Sequence, residues 1–419
     1  MALPASDGQT LGNSILFTAR RHETPQPFVR PNWVRAFKKE EFKFRPIHGF
    51  EYGYWWSEWG GNLSTIKDFD VIRRECMRIA LGVWDYIKNS GEHPEAENYA
   101  LEWVGAIPGK RESRRFIGPK VLVQDDVMLG TTFNDQVAYG GWWLDLHPPT
   151  GIDAVDEQPC VQHHTPHLYG IPLGILHSKN VKNLFMAGRN VSATHVAFAS
   201  TRVMGTCAVM GQAIGTAASM LSASHASDIA ASADESFIRS LQQTLVKDDA
   251  FLPGVRNDDA KDLARTASVT ATSERPDAKA GNAINGYTRT VSASWGLWAD
   301  ERPNHWESAE LPATIELNLP RPANVRTVHV TFDSGLQREL ILTPSDHITK
   351  KTTRGAQPEL VKDYDIYVDD TLAVAVRGNY LRHRVHSFAA IAGTRVSIRV
   401  LAAHGISTAR VYEIRCYGA

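Results

Sequence analysis

The sequence predicts a molecule in two parts: a mixed half (α+β, with one α/β-like strand–helix unit), then an all-β sandwich. Three patterns predict this. In "KDFDVIRRECMRIALGVWDYIKN" (67–89) the apolar residues Phe69, Ile72, Cys76, Ile79, Ala80, Val83 and Ile87 recur at three- and four-residue steps, the period of an amphipathic helix. In "NLFMAGRNVSATHVAFASTRVMGTCAVMGQAIGTAASML" (183–221) an apolar run, Leu184 to Ala187, reads as a buried strand. It meets Gly188 and leads into a helix predicted over 202–221 and rich in small residues. From about residue 263 the runs 314–320, 325–333, 364–370, 395–403 and 409–418 alternate apolar and polar residues, as half-buried antiparallel strands do.

Composition bounds the function. A chain of 419 residues that is 43% hydrophobic and 22% charged has room for two or three domains with real cores. Its net charge of -1 provides no basic footprint for nucleic acid or an anionic membrane, which leaves a small molecule as the expected partner. Cys76, Cys160, Cys207 and Cys416 lack C-x-x-C spacing, so neither a structural zinc site nor a disulfide framework is expected. His163, His164 and His167 form a loop cluster without a suitably spaced carboxylate or cysteine, so no metal is expected there either. No apolar run is long enough to span a membrane. "MALPASDGQT" has no charged n-region or apolar h-region, so no signal peptide is visible and the compartment stays open.

Between the halves, 234–247 reads as one further helix, stopped by Pro253-Gly254 and followed by the charged run Asp258, Asp259, Lys261 and Asp262. The expected divisions are therefore 1–175, 176–224, 225–262 and 263–419. Such a boundary predicts few crossing contacts and a C-terminal unit that folds by itself.

Several residues are candidates for chemistry. A strand, a glycine turn and a helix bring backbone N–H groups and a positive helix end to one point, a geometry suited to an anion or a polarised carbonyl. The helix face Gly205, Ala208, Gly211, Gly215, Ala218 and Ser219 either admits a close backbone or cofactor, or is tight packing. "PGKRESRR" sets Lys110, Arg111, Arg114 and Arg115 around Glu112. Arginine forks there suit carboxylates, phosphates or vicinal hydroxyls, with a solvated ion-paired edge as the structural alternative. In an extended segment Arg111 and Arg115 share one face. His195 lies between the turn and the helix, and His147 follows Asp145 by two. Each is a proton carrier or a hydrogen-bonded structural residue. Tyr54, Trp55, Trp56, Trp59, Trp142 and Trp143 are either core or a stacking surface, with Glu58 beside them as a candidate base.

"NLFMAGRNVSATHVAFASTRVMGTCAVMGQAIGTAA" resembles the C-terminal flavin-binding segment of the FAD-dependent oxidoreductase family with a glutathione-reductase-like fold. There a strand ends in A-G-R, and S-A-T-H and a helix with R-V-M-x-T-C-x-x-x-G-Q-A-x-G-T-A-A follow. "GYWWSEWGG", "GVWDYIKNSGEHPEAENYALEWVGAIPGKRESRRFIG" and "AYGGWWLDLHPPTGI" resemble that family's substrate domain, and the likeness covers roughly 10–224. The resemblance implies FAD as cofactor, held by Ala187, Gly188, Arg189, Ser192, Thr194, Arg202, Gly205 and Thr206. It implies substrate contacts at Arg111, Arg115 and Trp56, and proton handling by His195, His147 or Glu58.

In that family a dinucleotide fingerprint precedes these segments. Here the sequence opens on "LGNSILFTARRHETPQPFVRP", which resembles the start of the substrate domain, and no strand–G-x-G-x-x-G–helix stands before it. The nucleotide-binding half is therefore expected from a longer parent chain or from a separate polypeptide. "HWESAELPATIELNLPRPANVRTVHVTFDSG" through "ISTARVYEIRCYGA" resembles a galactose-binding-like (discoidin-type) jelly roll. That likeness implies a glycan ligand; Trp295 and Trp298, in a Gly-containing loop, either stack on a sugar ring or pack against the flavin domain, and Trp306, which begins a strand, reads as core. The combined expectation is an FAD-dependent oxidoreductase acting on a small polar, carbohydrate-related substrate. Its rival is a non-enzymatic carbohydrate-binding protein carrying a relic flavin half.

Overall fold

The apolar stripe of 67–89 becomes the helix Phe69–Asn89, in which Ile72, Cys76, Ile79, Ala80, Val83 and Ile87 are all buried. Phe69 stays half-buried and receives Lys110 Nζ over its ring, 4.4 Å from the centroid. The computed structural model describes residues 7–224, 229, 234–289, 304–336, 338 and 343–418. Trp295 and Trp298 lie outside the described residues.

The first half consists of β1 (Asn13–Ser14), β2 (Phe17–Arg21), β3 (Glu58–Trp59), α1 (Phe69–Asn89), β4 (Tyr99–Val104), α2 (Gln124–Met128), β5 (Gln136–Gly140), β6 (Leu144–Leu146), β7 (Val161–His163) and β8 (Tyr169–Pro172). Then come α3 (His195–Thr201), α4 (Met204–Ala223) and α5 (Glu235–Lys247). Its strands pair only two at a time, β1 with β3, β2 with β4, β5 with β8 and β6 with β7. Packing between helices and loops therefore has to hold this part together. Phe17, Tyr54, Trp56, Trp84 and Tyr86 form one aromatic core. Ala197, Phe198, Met210, Ala213, Ala217, Leu241 and Leu245 pack with Tyr169 and Ile171 in another.

Two expectations for 183–221 need correction. Leu184–Ala187 is not a strand: Phe185 makes a single antiparallel bridge to His177, and Met186 N–H donates to Leu176 C=O. An apolar run extends into a ladder only where neighbouring strands meet its N–H and C=O groups, and the described residues offer this run one bridge. The helix predicted over 202–221 is two helices. Arg202 caps α3, Val203 turns to an extended conformation (ψ 149°), and α4 restarts at Met204.

The C-terminal half is β-rich, with β9 (Ser268–Ala271), β10 (Trp306–Glu307), β11 (Ala313–Phe332), β12 (Val361–Val368), β13 (Thr371–Val376), β14 (His383–Ala403) and β15 (Arg410–Gly418). They form one antiparallel sheet in the order β10-β15-β11-β14-β12-β13, with β9 also on β11. The first half of β11 pairs with β9 and the end of β14, and its second half pairs with β15 and the start of β14. Ile315 and Leu317 from one half share a core with Val328, Val330 and Phe332 from the other, so the sheet folds over onto itself. The two strands expected at 314–320 and 325–333 are thus one. Pro320 and Pro322, which cannot donate to a ladder, fall in the register shift between Asn318 and Ala323 that bends it. Trp306 is fully buried in this core.

The expected boundary with few crossing contacts is in fact a buried polar seam. Arg415, fully buried, donates from Nε to Glu413 (2.7 Å) and from Nη2 to the carbonyl of Val246 in α5 (2.9 Å). Asp249 receives Arg382 Nε at 2.8 Å and Arg289 Nη1 at 3.2 Å. Asp262 accepts the backbone N–H of Cys416 (2.9 Å) and Lys247 Nζ stands 4.0 Å over the Tyr417 ring. The acidic residues after α5 are engaged in the folded chain and do not form a solvated tether: Asp249 pairs with Arg289 and Arg382, Asp258 with Arg239 and Arg265, and Asp262 with the Cys416 N–H and Asn257.

Candidate functional site

Two charged clusters diverge from neighbouring residues of one irregular segment, 111–118. Arg111 turns one way: its Nη1 donates to Glu58, and its Nη2 to Ser14 Oγ (3.1 Å) and to the carbonyl of Trp55. Glu58 is buried, on β3, and Gly151 makes its placement possible. Gly151 has φ +61°, and a Cβ there would lie 2.0 Å from the Glu58 carbonyl oxygen, so no side chain fits. Fully buried Arg45 braces the same loop by donating to the carbonyls of Gly151 and Ala154, both at 2.9 Å.

From Glu58 the charges alternate inward. His147 Nδ1 donates to Glu58 Oε1 (2.8 Å) and its Nε2 to Asp145 Oδ2 (3.0 Å). Arg202 Nη2 donates to the same Asp145 oxygen at 2.6 Å. A carboxylate on each ring nitrogen favours the doubly protonated ring, while Arg111 Nη1 and Arg202 Nη2 also stand 3.2 Å from Nδ1 and Nε2. Burial pulls the His147 pKa down, but the hydrogen bonds to Asp145 and Glu58 outweigh it and hold it above the ordinary histidine value. Burial opposes ionisation of Asp145 too, yet His147 and then Arg202 bring its pKa down to about 2.

These contacts place four of the expected site residues. His147 sets both ring nitrogens against carboxylates, and the Glu58 carboxylate faces Arg111 and His147. Arg111 is the counter-ion of Glu58. Arg202, expected against the flavin, is held by Asp145. A fifth, Trp56, lies in the core. It is 1% exposed and stacks on Tyr54 in the core (4.8 Å between centroids), whereas the exposed neighbour is Trp55, edge-on to His147 at 5.6 Å.

Arg115 and Glu112 form the second cluster. Arg115 does not share a face with Arg111, because the chain here is not a strand: Arg115 folds back onto Glu112, three residues earlier, and lies 5.6 Å over the Phe198 ring. Glu112 is buried and also contacts His195 Nδ1, at 3.1 Å from Oε1 and 3.0 Å from Oε2. His195 opens α3, whose N-cap Thr194 accepts the N–H of Ala197 at 3.3 Å. Leu122 fixes the approach to this helix by donating to Ser192 C=O (3.0 Å) and accepting from Thr194 N–H (2.9 Å). Glu112, Arg115, Ser192, Thr194 and His195 line a cleft of about 940 Å³, together with Lys67, Arg114 and the loop 62–66. Glu112 was not a sequence candidate. Its contact with His195 spans 83 positions, and no local pattern marks it.

The turn expected to meet the flavin is joined to the cleft wall through Asn190, whose carbonyl accepts the N–H of Phe116 at 2.9 Å. Gly188 adopts φ +112°, a conformation that favours glycine, and exposed Ala187 and Arg189 flank it. Arg189 donates to the carbonyls of Arg202 (3.3 Å) and Lys110 (3.1 Å), tying the turn to the α3–α4 junction. On α4, Thr206 is buried but Gly205, Ala208, Gly211, Gly215 and Ser219 form an exposed face. A Cβ built on Gly205, Gly211 or Gly215 meets nothing within 4 Å. No helix among the described residues is long and apolar enough to cross a membrane.

Residues 9–245, more than half of the chain, match the family described as FAD dependent oxidoreductase. The chain belongs to that family, and FAD is its cofactor. No curated protein matches the sequence. Among solved structures, the chain is similar to the family 32 carbohydrate-binding module of Clostridium perfringens NanJ in complex with galactose. That likeness has 16% identity and a TM-score of 0.27, over 38% of this chain and 98% of that one. The family 32 module of Streptococcus pneumoniae EndoD gives 18% identity and a TM-score of 0.28, over 38% and 99%. Chitosan-binding module 1 of a chitosanase/glucanase from Paenibacillus sp. IK-5 gives 17% and 0.27, over 38% and 98%.

Proposed function

We propose that this chain is the substrate-binding and flavin-facing part of an enzyme that oxidises or reduces a small polar, carbohydrate-related substrate at the His195 cleft. These 419 residues hold no strand–G-x-G-x-x-G–helix unit, so the dinucleotide of FAD would call for a nucleotide-binding half that they do not include. One juxtaposition supports this reading. Phe116 of the cleft wall donates its N–H to the carbonyl of Asn190, two residues past Gly188, at 2.9 Å, and Arg189 ties the same turn to the α3–α4 junction, from which the exposed small-residue face of α4 runs on. Ala187, Gly188 and Arg189 would hold the flavin at the turn, with Gly205 at the start of α4. The flavin supplies the two-electron step when bound. What the chain itself supplies is a shaped cleft, the cations Arg114, Arg115 and Lys67 at its wall, and an imidazole to take or give a proton. The full chain purified alone is expected to be colourless, and co-expression with its nucleotide-binding half should give yellow protein. Stoichiometric FAD on the chain by itself would overturn the proposal.

The C-terminal sheet is assigned a glycan-binding role within the same reading, for which one observation speaks. Tyr380 is 71% exposed on the loop between β13 and β14, and its neighbour Asn379 is 1% exposed. Asn379 pins that loop by donating to the carbonyl of Val361 at 2.8 Å. An exposed ring on an anchored loop is a stacking platform for a sugar. On a glycan array, Tyr380→Ala is expected to weaken binding about tenfold, the scale of one lost aromatic contact. Equal binding by both proteins would remove Tyr380 from the role.

A further inference from the structure

His147 and His195 are sorted by what their ring nitrogens touch. His147 gives both nitrogens to carboxylates, whereas His195 gives only Nδ1, and its ring, 39% exposed, opens on the cleft. We propose that Glu112 is the positioning residue that fixes His195 in its Nδ1–H tautomer, so that Nε2 faces the cleft with a free lone pair as the proton acceptor for substrate. The inference rests on the reading of that cleft as the substrate site.

The geometry leaves Glu112 little freedom. Its side chain is fully buried, and three groups from three parts of the chain converge on it. Leu11 N–H donates to Oε2 at 3.0 Å, the Arg115 guanidinium donates to Oε1, and His195 Nδ1 lies 3.0–3.1 Å from the two oxygens. An ionised carboxylate only accepts, so the facing nitrogen of a neutral imidazole must carry the hydrogen and the far nitrogen must not. Arg115 balances the negative charge at the same spot, which keeps the carboxylate from drawing His195 into a permanent ion pair like that of His147. The charged groups facing the ring are Glu112 and Arg115 from the irregular segment, Arg202 from the end of α3 and Asp7 from the N-terminal stretch. Burial first, then Arg115, hold the ring's pKa below the ordinary histidine value, with Asp7 opposing and Arg202 adding to the depression. The ring is neutral at neutral pH, as a proton acceptor must be. A carboxylate behind an imidazole serves the same purpose in many proton-transferring sites, where it selects the tautomer and fixes the ring plane.

The test needs neither flavin nor substrate, so it stands or falls separately from reconstitution of the holoenzyme. The full chain labelled with ¹⁵N-histidine is studied by long-range ¹H–¹⁵N correlation at slightly alkaline pH, with His195→Gln identifying the signal. The wild-type ring is expected to show a protonated Nδ1 and an unprotonated Nε2. Glu112→Gln, whose amide both donates and accepts, should shift the tautomer ratio by about tenfold, as expected for loss of a charge-assisted hydrogen bond. A wild-type ring protonated on Nε2 would overturn the assignment, and so would an unchanged ratio in Glu112→Gln. If Glu112→Gln fails to fold, the wild-type spectrum decides alone.

Discussion

Asp145→Ala is expected to destabilise the first half of the protein by about 3–5 kcal/mol, the scale for removing one partner of a buried ion pair. Asp145 accepts from His147, from Arg202 at 2.6 Å and from Gln162 at 3.2 Å, so it joins β6, β7 and the end of α3. Its loss strands two buried cations, and nothing nearby replaces it, because Glu58 is already shared by Arg111 and His147. The thermal transition of the first half should fall by roughly 10 °C; a fall of only a degree or two would mean that water reaches the pair. The cluster also sets a pH window. The Asp145 pKa is depressed from 3.8 to about 2, so its contribution is present above 3.8 and is lost as the pH falls towards 2. The His147 pKa is raised, so its contribution is complete below 6.5 and is lost as the pH rises through the folded-state value. Stability from the cluster is therefore greatest between these limits, and Asp145→Ala should flatten the acid limb.

Asp249→Asn should loosen the C-terminal sheet from α5 at a cost of about 3 kcal/mol. Asp249 sits at φ +63°, a region that Asn tolerates nearly as well as Asp, so this change removes charge without adding backbone strain. It leaves Arg382 and Arg289 without their shared carboxylate, while Arg382 keeps its bond to the Phe332 carbonyl at 2.8 Å. Burial opposes ionisation of Asp249, and the two arginines outweigh it, so the charge being deleted is present at neutral pH. Amide hydrogen exchange in β15 and protease cleavage within 248–262 should both accelerate at least tenfold. Unchanged exchange would show that apolar packing alone holds the seam.

The reach of the sequence follows from where each feature's information lies. Helix α1 is legible because its signal is local: one apolar stripe in 21 residues, buried as the period requires. The FAD segment is legible as a motif, but its run Leu184–Ala187 is not a strand here, because strand character belongs to a pair and not to a run. The prolines at 320 and 322 make one bent strand read as two. In "YWWSEW" every aromatic looks alike, yet alternation buries Trp56 and exposes Trp55. The pairing of Asp145 with His147 follows from spacing on a strand end. The contacts of Glu58 with His147 and of Glu112 with His195 cross 89 and 83 residues, and only the folded chain brings them together. The acidic stretch before 263 has the composition of a linker, and what anchors it to the sheet, the Cys416 N–H on Asp262, lies 154 residues further along.

The central claim is that the Gly188 turn and the open face of α4 receive the flavin when a nucleotide-binding half is present. Hydrogen exchange of the full chain, mixed with that half and measured with and without FAD, tests it most directly. The account predicts FAD-dependent protection confined to peptides covering 186–195 and 204–215, with β11 to β15 unchanged. Unchanged exchange in those two peptides while FAD is bound would contradict it.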